Sequence, residues 1–110
     1  MKRGETKEHT FTLGENDYNV SSLKAFLITY AQNKEKILVF SIKDLNNKVF
    51  LEENKITVKL KQEDTKKFKE GLVFVELKIF TENNEVLINE GLISFYVGET
   101  LNDEVLNEIC

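Results

Sequence analysis

The chain has 110 residues, 41% hydrophobic and 31% charged, enough for one compact domain with its own core and too few for a second. Fifteen basic against nineteen acidic residues give a net charge of −4, so the field of the whole protein opposes a phosphate backbone and nucleic acid is not an expected partner. Cys110, the single cysteine, excludes an intrachain disulfide and a cysteine zinc site, while the lack of any run near ~20 apolar residues or of an apolar leader argues against a membrane and for synthesis in the cytoplasm.

In chain order, the apolar residues recur mostly with a period of two. Thr10 to Leu13 opens the series, with His9, Phe11 and Leu13 on one face. Leu23 to Ala31 and Ile37 to Ile42 follow as β-rich runs, then a short candidate at Val49 to Leu51. The clearest alternation is Ile56-Thr57-Val58-Lys59-Leu60-Lys61, which predicts a half-buried antiparallel strand. Leu72 to Phe80, a short run at Val86 to Ile88, and Leu92 to Val97 complete about seven strands. Asp44 to Lys48, holding Asn46-Asn47, and Glu82 to Glu85, holding Asn83-Asn84, read as hairpin turns, because asparagine tolerates the left-handed backbone. Between Leu60 and Gly71 the polar stretch Gln62 to Glu70 carries one large apolar residue, Phe68. It predicts a short helical turn near 62–69 with Phe68 as a plug and Gly71 releasing the next strand.

Many short strands with little helix predict an all-β fold, an immunoglobulin-like antiparallel sandwich spanning 1–110 as one domain, with a small barrel as the alternative. The final segment changes period. Leu101, Val105 and Ile109 recur at i, i+4 and i+8, with Asn102 as a cap and Asp103 and Glu104 in the first turn, which predicts a C-terminal amphipathic helix. A helix of that length is marginal alone in water, so it must either dock on its own domain or bind something else, and Leu101, Val105 and Ile109 are the interface candidates.

Residues able to carry chemistry are sparse. His9 is the only histidine, no Gly-x-Ser-x-Gly elbow accompanies it, and a terminal Cys110 makes a poor nucleophile. Glu52-Glu53 and Glu63-Asp64 are adjacent acids in polar loops, better read as solvated charge than as a glycosidase pair. No metal-binding or phosphate-cradling motif is present, so neither a cofactor nor an enzymatic reaction is expected. Charge is unevenly spread: up to Lys78 fifteen basic side chains face twelve acidic ones, +3, and beyond it come seven acidic and no basic, −7. Interleaved strands would mix the two parts; otherwise the molecule has a basic and an acidic end suited to head-to-tail contact.

Thr29-Tyr30-Ala31-Gln32 at a strand end, followed by Ile56 to Leu60, then Lys61-Gln62-Glu63-Asp64-Thr65-Lys66-Lys67-Phe68 and Gly71, resembles small proteins of tailed phages and prophages of Gram-positive bacteria. Their pattern is a strand, then Leu-x-Gln-Glu-Asp-Thr-x-x-Phe, then a strand and a hairpin. The opening Gly4-Glu5-Thr6 with His9-Thr10-Phe11-Thr12-Leu13 is similar to the group's start, without its proline, and Glu76 stands where a glutamine is often found. The resemblance implies a non-enzymatic virion structural protein of tail, baseplate or head, assembling with other virion proteins or with copies of itself. It would be made in the host cytoplasm and carried in the virion. Gln62, Asp64, Thr65, Phe68 and Gly71 then mark fold maintenance rather than binding. Two other readings remain open at this level: a host-surface carbohydrate binder, against which the absence of tryptophan counts, and a small phage-encoded regulator.

Overall fold

The computed structural model describes residues 1–13, 23–89 and 93–98. Among the described residues eight strands form, β1 (Lys7–Thr12), β2 (Ala25–Gln32), β3 (Glu35–Ser41), β4 (Val49–Glu52), β5 (Lys55–Leu60), β6 (Gly71–Phe80), β7 (Val86–Ile88) and β8 (Ile93–Val97), with a 3-10 turn at Ile42–Asp44 and one α-helical turn, α1 (Gln62–Thr65). The fold is all-β, two antiparallel sheets packed face to face. One has the order β1-β5-β4 and the other β3-β2-β6, with β7 and β8 both pairing β6. That order is the B-E-D sheet facing the C′-C-F-G sheet of an immunoglobulin-like sandwich.

Alternation sets the two inner faces. On the smaller sheet His9 pairs with Val58 and Phe11 with Ile56, and Val49 lies across Val58. On the larger one Ile28 and Tyr30 of β2 and Val73, Val75 and Leu77 of β6 point inward and are buried. A one-residue slip in either ladder would turn these side chains to solvent, which fixes the register.

Turn chemistry makes the connections. Asn33 and Lys34, at φ 51° and 69°, form a two-residue turn with both residues left-handed, the geometry that matches strand twist in a β2–β3 hairpin. Asn84, at φ 63°, sits in the β6–β7 hairpin as expected from Glu82 to Glu85. The Asn46-Asn47 turn differs from expectation. It joins β3 to β4, which belong to different sheets, so it is a crossover and not a hairpin. The cause lies just upstream: Ser41 Oγ accepts the Lys43 amide, and Asp44 Oδ2 accepts the Ser41 amide at 2.9 Å. This reciprocal cap starts a 3-10 turn at Ile42–Asp44 that lifts the chain out of the larger sheet.

β7 and β8 are one edge strand interrupted in the middle. β7 follows β6 from Phe80 to Lys78 and β8 from Val75 to Gly71, which leaves Glu76 and Leu77 of β6 between the two paired stretches. Asn89 holds the break closed. Its amide donates to the Leu77 carbonyl at 3.1 Å and its side-chain Oδ1 accepts the Leu77 amide at 2.7 Å.

Candidate interaction surfaces

The Gln62 to Gly71 block builds one end of the sandwich. Gln62 begins α1, and its carbonyl accepts the Lys66 amide. Asp64 is buried; its Oδ2 accepts the Lys61 amide at 2.9 Å and its Oδ1 the Lys48 ammonium at 2.7 Å. Thr65 donates its hydroxyl to the Glu5 carbonyl at 2.8 Å, tying the N-terminal segment to the turn. Phe68 is wholly buried among aromatic rings, 5.9 Å from Tyr30 and 6.0 Å from Phe95. Gly71 opens β6 at φ 134°, a conformation glycine adopts without strain. Arg3 completes the cap by donating to the carbonyls of Phe68 and Lys66. The side-chain oxygens of Asp64 and Thr65 are bonded within the fold, so these two residues position the strands and the N-terminal segment around Phe68.

His9 lies on the inner face of β1 at an open seam between the sheets. Its Nδ1 is 3.0 Å from the Tyr30 hydroxyl and its ring 4.8 Å from that of Phe95. Burial, reinforced by the positive charges of Lys7 and the N-terminus, lowers its pKa below the usual 6.5. Burial, and then the charge of Asp64, pushes the Tyr30 hydroxyl far above the usual tyrosine range. Neither ring therefore favours its charged form. The seam widens beyond them into a cleft of about 760 Å³ between β1 and the β7–β8 edge, lined by Phe11, Leu13, Leu77, Ile79, Leu87 and Phe95 among others. Among the described residues its lining is mainly apolar, with the Glu8 carboxylate and the Ser94 hydroxyl at its margin and the Thr10 and Thr12 hydroxyls on the solvent side of β1. The cleft can hold apolar groups.

The two outward faces contrast. The smaller sheet presents Glu8, Thr10 and Thr12 from β1, and Lys55, Thr57 and Lys59 from β5. Thr10 and Thr57 hydroxyls meet at 3.2 Å, Glu8 pairs with Lys59 at 3.7 Å, and Lys59 covers the ring of Phe50 at 4.6 Å. It is a solvated face. The larger sheet presents Leu27 at 41% exposure, Val39 at 48%, Leu72 at 54% and Phe74 at 39%, with Tyr96 and Ile88 on the adjoining edge. On β6, across from Thr29 and Leu27, lie Glu76 and Lys78, and on β3, across from Ala31, lies Lys36, three charges set in this apolar field. Antiparallel sheets usually turn such side chains inward and leave a polar exterior, so a contiguous apolar exterior marks a contact surface. The signal was present in the sequence: Leu72-Val73-Phe74-Val75 is apolar on both parities, which a strand wetted on one side does not need.

Charge is partly sorted by end. Lys34, Lys61, Lys66, Lys67 and Lys69 stand on the turns around the Phe68 cap, interrupted by Glu35, Glu63 and Glu70. Glu52, Glu53, Glu82 and Glu85 stand on the hairpin turns at the other strand ends, with Lys24 and Lys55 beside them. The interface candidates Leu101, Val105 and Ile109, and Cys110 with them, lie outside the described residues. Among the described residues, no helix is long and apolar enough to cross a membrane, and no three His, Cys, Asp or Glu side chains gather as metal ligands. Comparison with protein-family models, with curated proteins and with solved structures returns no match.

Proposed function

We propose that the chain is a non-enzymatic assembly module, a phage or prophage virion component that works by protein–protein contact and needs no cofactor. One observation carries the reading: the same molecule solvates the outer face of its smaller sheet and leaves Leu27, Val39, Leu72 and Phe74 exposed on the outer face of the larger one. Burying such a patch is worth about 25 cal/mol per Å² of apolar surface removed from water, which drives association without any charged steering. The likeness of Gln62 to Phe68 to small phage proteins supplies the setting, a tail, baseplate or head in which many such surfaces are covered.

The test is mass spectrometry of particles purified from a host carrying the gene. A stoichiometric protein in particles is the expected result. Abundant protein in the cells, none in the particles, and normal particles after deletion of the gene would overturn the reading.

A further inference from the structure

The outer face of the larger sheet is nearly palindromic. Along β6 it reads Phe74, Glu76, Lys78, Phe80, and along the neighbouring β2 it reads Ala31, Thr29, Leu27, Ala25 at the same levels. Both series reverse about the Leu77–Ile28 pair, which points into the core beneath them. The reversal exchanges Phe74 with Phe80, Ala31 with Ala25, and Thr29 with Leu27, and it exchanges one acid for one base, Glu76 for Lys78.

We propose that two copies of the chain pack through these outer faces about a two-fold axis lying in the interface, across the strands, at the level of Leu77 and Ile28. This rests on the assembly reading above and names its partner as a second copy. The axis sets Glu76 of each copy against Lys78 of the other, and Phe74 against Phe80. It thereby pairs Glu76 and Lys78, the two charges that β6 places on this face, and an interface of this kind contacts itself with one patch used twice. Phe80 is half-buried, with the Lys24 ammonium 5.5 Å from its ring, so it contributes an edge and Phe74 the exposed ring. Sheets packed this way cross at about 30°, which their twist allows without separating contacts at the axis. Four strand positions at ~4.8 Å spacing and a ten-residue β6 at ~3.4 Å per residue give roughly 600 Å² of flat area per copy, the scale of a small specific interface.

A two-fold running along the strands between β2 and β6 would instead place Glu76 over Thr29 and leave both charges without partners. Charge reversal separates the two arrangements. The full chain is measured by sedimentation equilibrium over a concentration series, under reducing conditions so that Cys110 cannot cross-link. The expected result is a reversible dimer, weakened at least about tenfold by Glu76→Lys and by Lys78→Glu singly, and returned to near wild-type strength by the double reversal. Phe74→Asp gives a monomer, and circular dichroism shows the same folded spectrum for every variant. A wild-type chain that stays monomeric at all concentrations overturns the proposal, as do single reversals without effect or a double reversal that does not restore the dimer. A monomer that is nevertheless found in particles, and that Phe74→Asp excludes from them, assigns the face to a different protein and sinks the dimer alone. A dimer absent from particles sinks the virion reading and leaves the dimer standing.

Discussion

Gln32 and Lys69 hold each other through a reciprocal pair of hydrogen bonds. Gln32 Nε2 donates to the Lys69 carbonyl at 2.7 Å, and the Lys69 amide donates to Gln32 Oε1 at 2.8 Å. The side-chain amide thus imitates one step of a β-ladder and stitches the end of β2 to the segment entering β6. Gln32 is itself buried, so the two bonds are sheltered from water. Gln32→Ala leaves a backbone donor and acceptor without these partners and is expected to cost about 1–3 kcal/mol in urea unfolding. Gln32→Glu keeps an acceptor for the Lys69 amide but turns a second acceptor against its carbonyl. It is expected to be destabilising above the carboxylate range and milder where the acid is protonated, an order checked by unfolding at pH 7 and pH 4.

Asp64 is the electrostatic centre of the cap. It takes the Lys48 ammonium and the Lys61 amide on separate oxygens while itself only 2% exposed. Removing one member of such a pair strands the other, so Asp64→Ala is expected to cost about 3 kcal/mol. Lys48, one quarter exposed, can turn its charge to solvent when its partner is gone, which keeps the cost below that of a fully enclosed pair. A second readout follows from Tyr30, whose ionisation Asp64 opposes after burial has already done so. In Asp64→Asn the Tyr30 hydroxyl is expected to ionise at a lower pH than in the parent chain, read by ultraviolet absorbance in base. An unchanged titration would mean that burial alone governs Tyr30.

Two phenylalanines separate stability from association. Phe68 is wholly enclosed by Tyr30, Phe95 and the cap, and Phe68→Ala is expected to lose about 3–5 kcal/mol at any protein concentration. Phe74 faces outward, so Phe74→Thr, which suits an exposed strand, is expected to shift unfolding by less than about 1 kcal/mol in dilute solution. Its effect grows with concentration, because the parent chain gains stability from association and the variant does not. Thermal melts at two widely spaced concentrations check both statements.

How much of this was legible in the sequence depends on how local the cause is. Alternation at Ile56 to Leu60 is set by one strand's own two faces, and the structure keeps Ile56, Val58 and Leu60 inward with Lys59 outward. The all-β sandwich follows from repeating that logic along the chain. Asn46-Asn47 was misread as a hairpin because a turn specifies a change of direction and not which sheet receives the next strand; that is settled by which core β3 and β4 can share. The β2–β3 turn at Asn33-Lys34 was hidden because Gln32, a polar residue, is buried at a strand end through its bonds to a segment far along the chain. The apolar outer face is legible on one strand, in the unbroken Leu72-Val73-Phe74-Val75, but not as a surface. Leu27, Val39 and Phe74 are far apart in sequence and become one surface only through the β3-β2-β6 order.

His9 gives the fold a pH dependence whose sign is fixed by its surroundings. The imidazole is half-buried, with the Tyr30 hydroxyl on Nδ1 and the Phe95 ring beside it; burial, and then the positive charges of Lys7 and the N-terminal ammonium, lower its folded pKa below 6.5. An unfolded chain frees the ring, which then takes up a proton near pH 6.5 as an ordinary histidine does. Below that pH the unfolded state therefore binds more protons than the folded one, and stability falls as pH drops from about 6.5 to the lowered folded value. Above 6.5 both states carry a neutral ring and the contribution is constant. The change therefore falls across the window from pH 7 to pH 5.5. Urea midpoints for the parent chain are expected to decline across that window, and His9→Gln, which keeps a polar side chain of similar reach without a titrating group, is expected to flatten the decline. Equal slopes in the two proteins would show that the ring is solvated enough to titrate alike in both states.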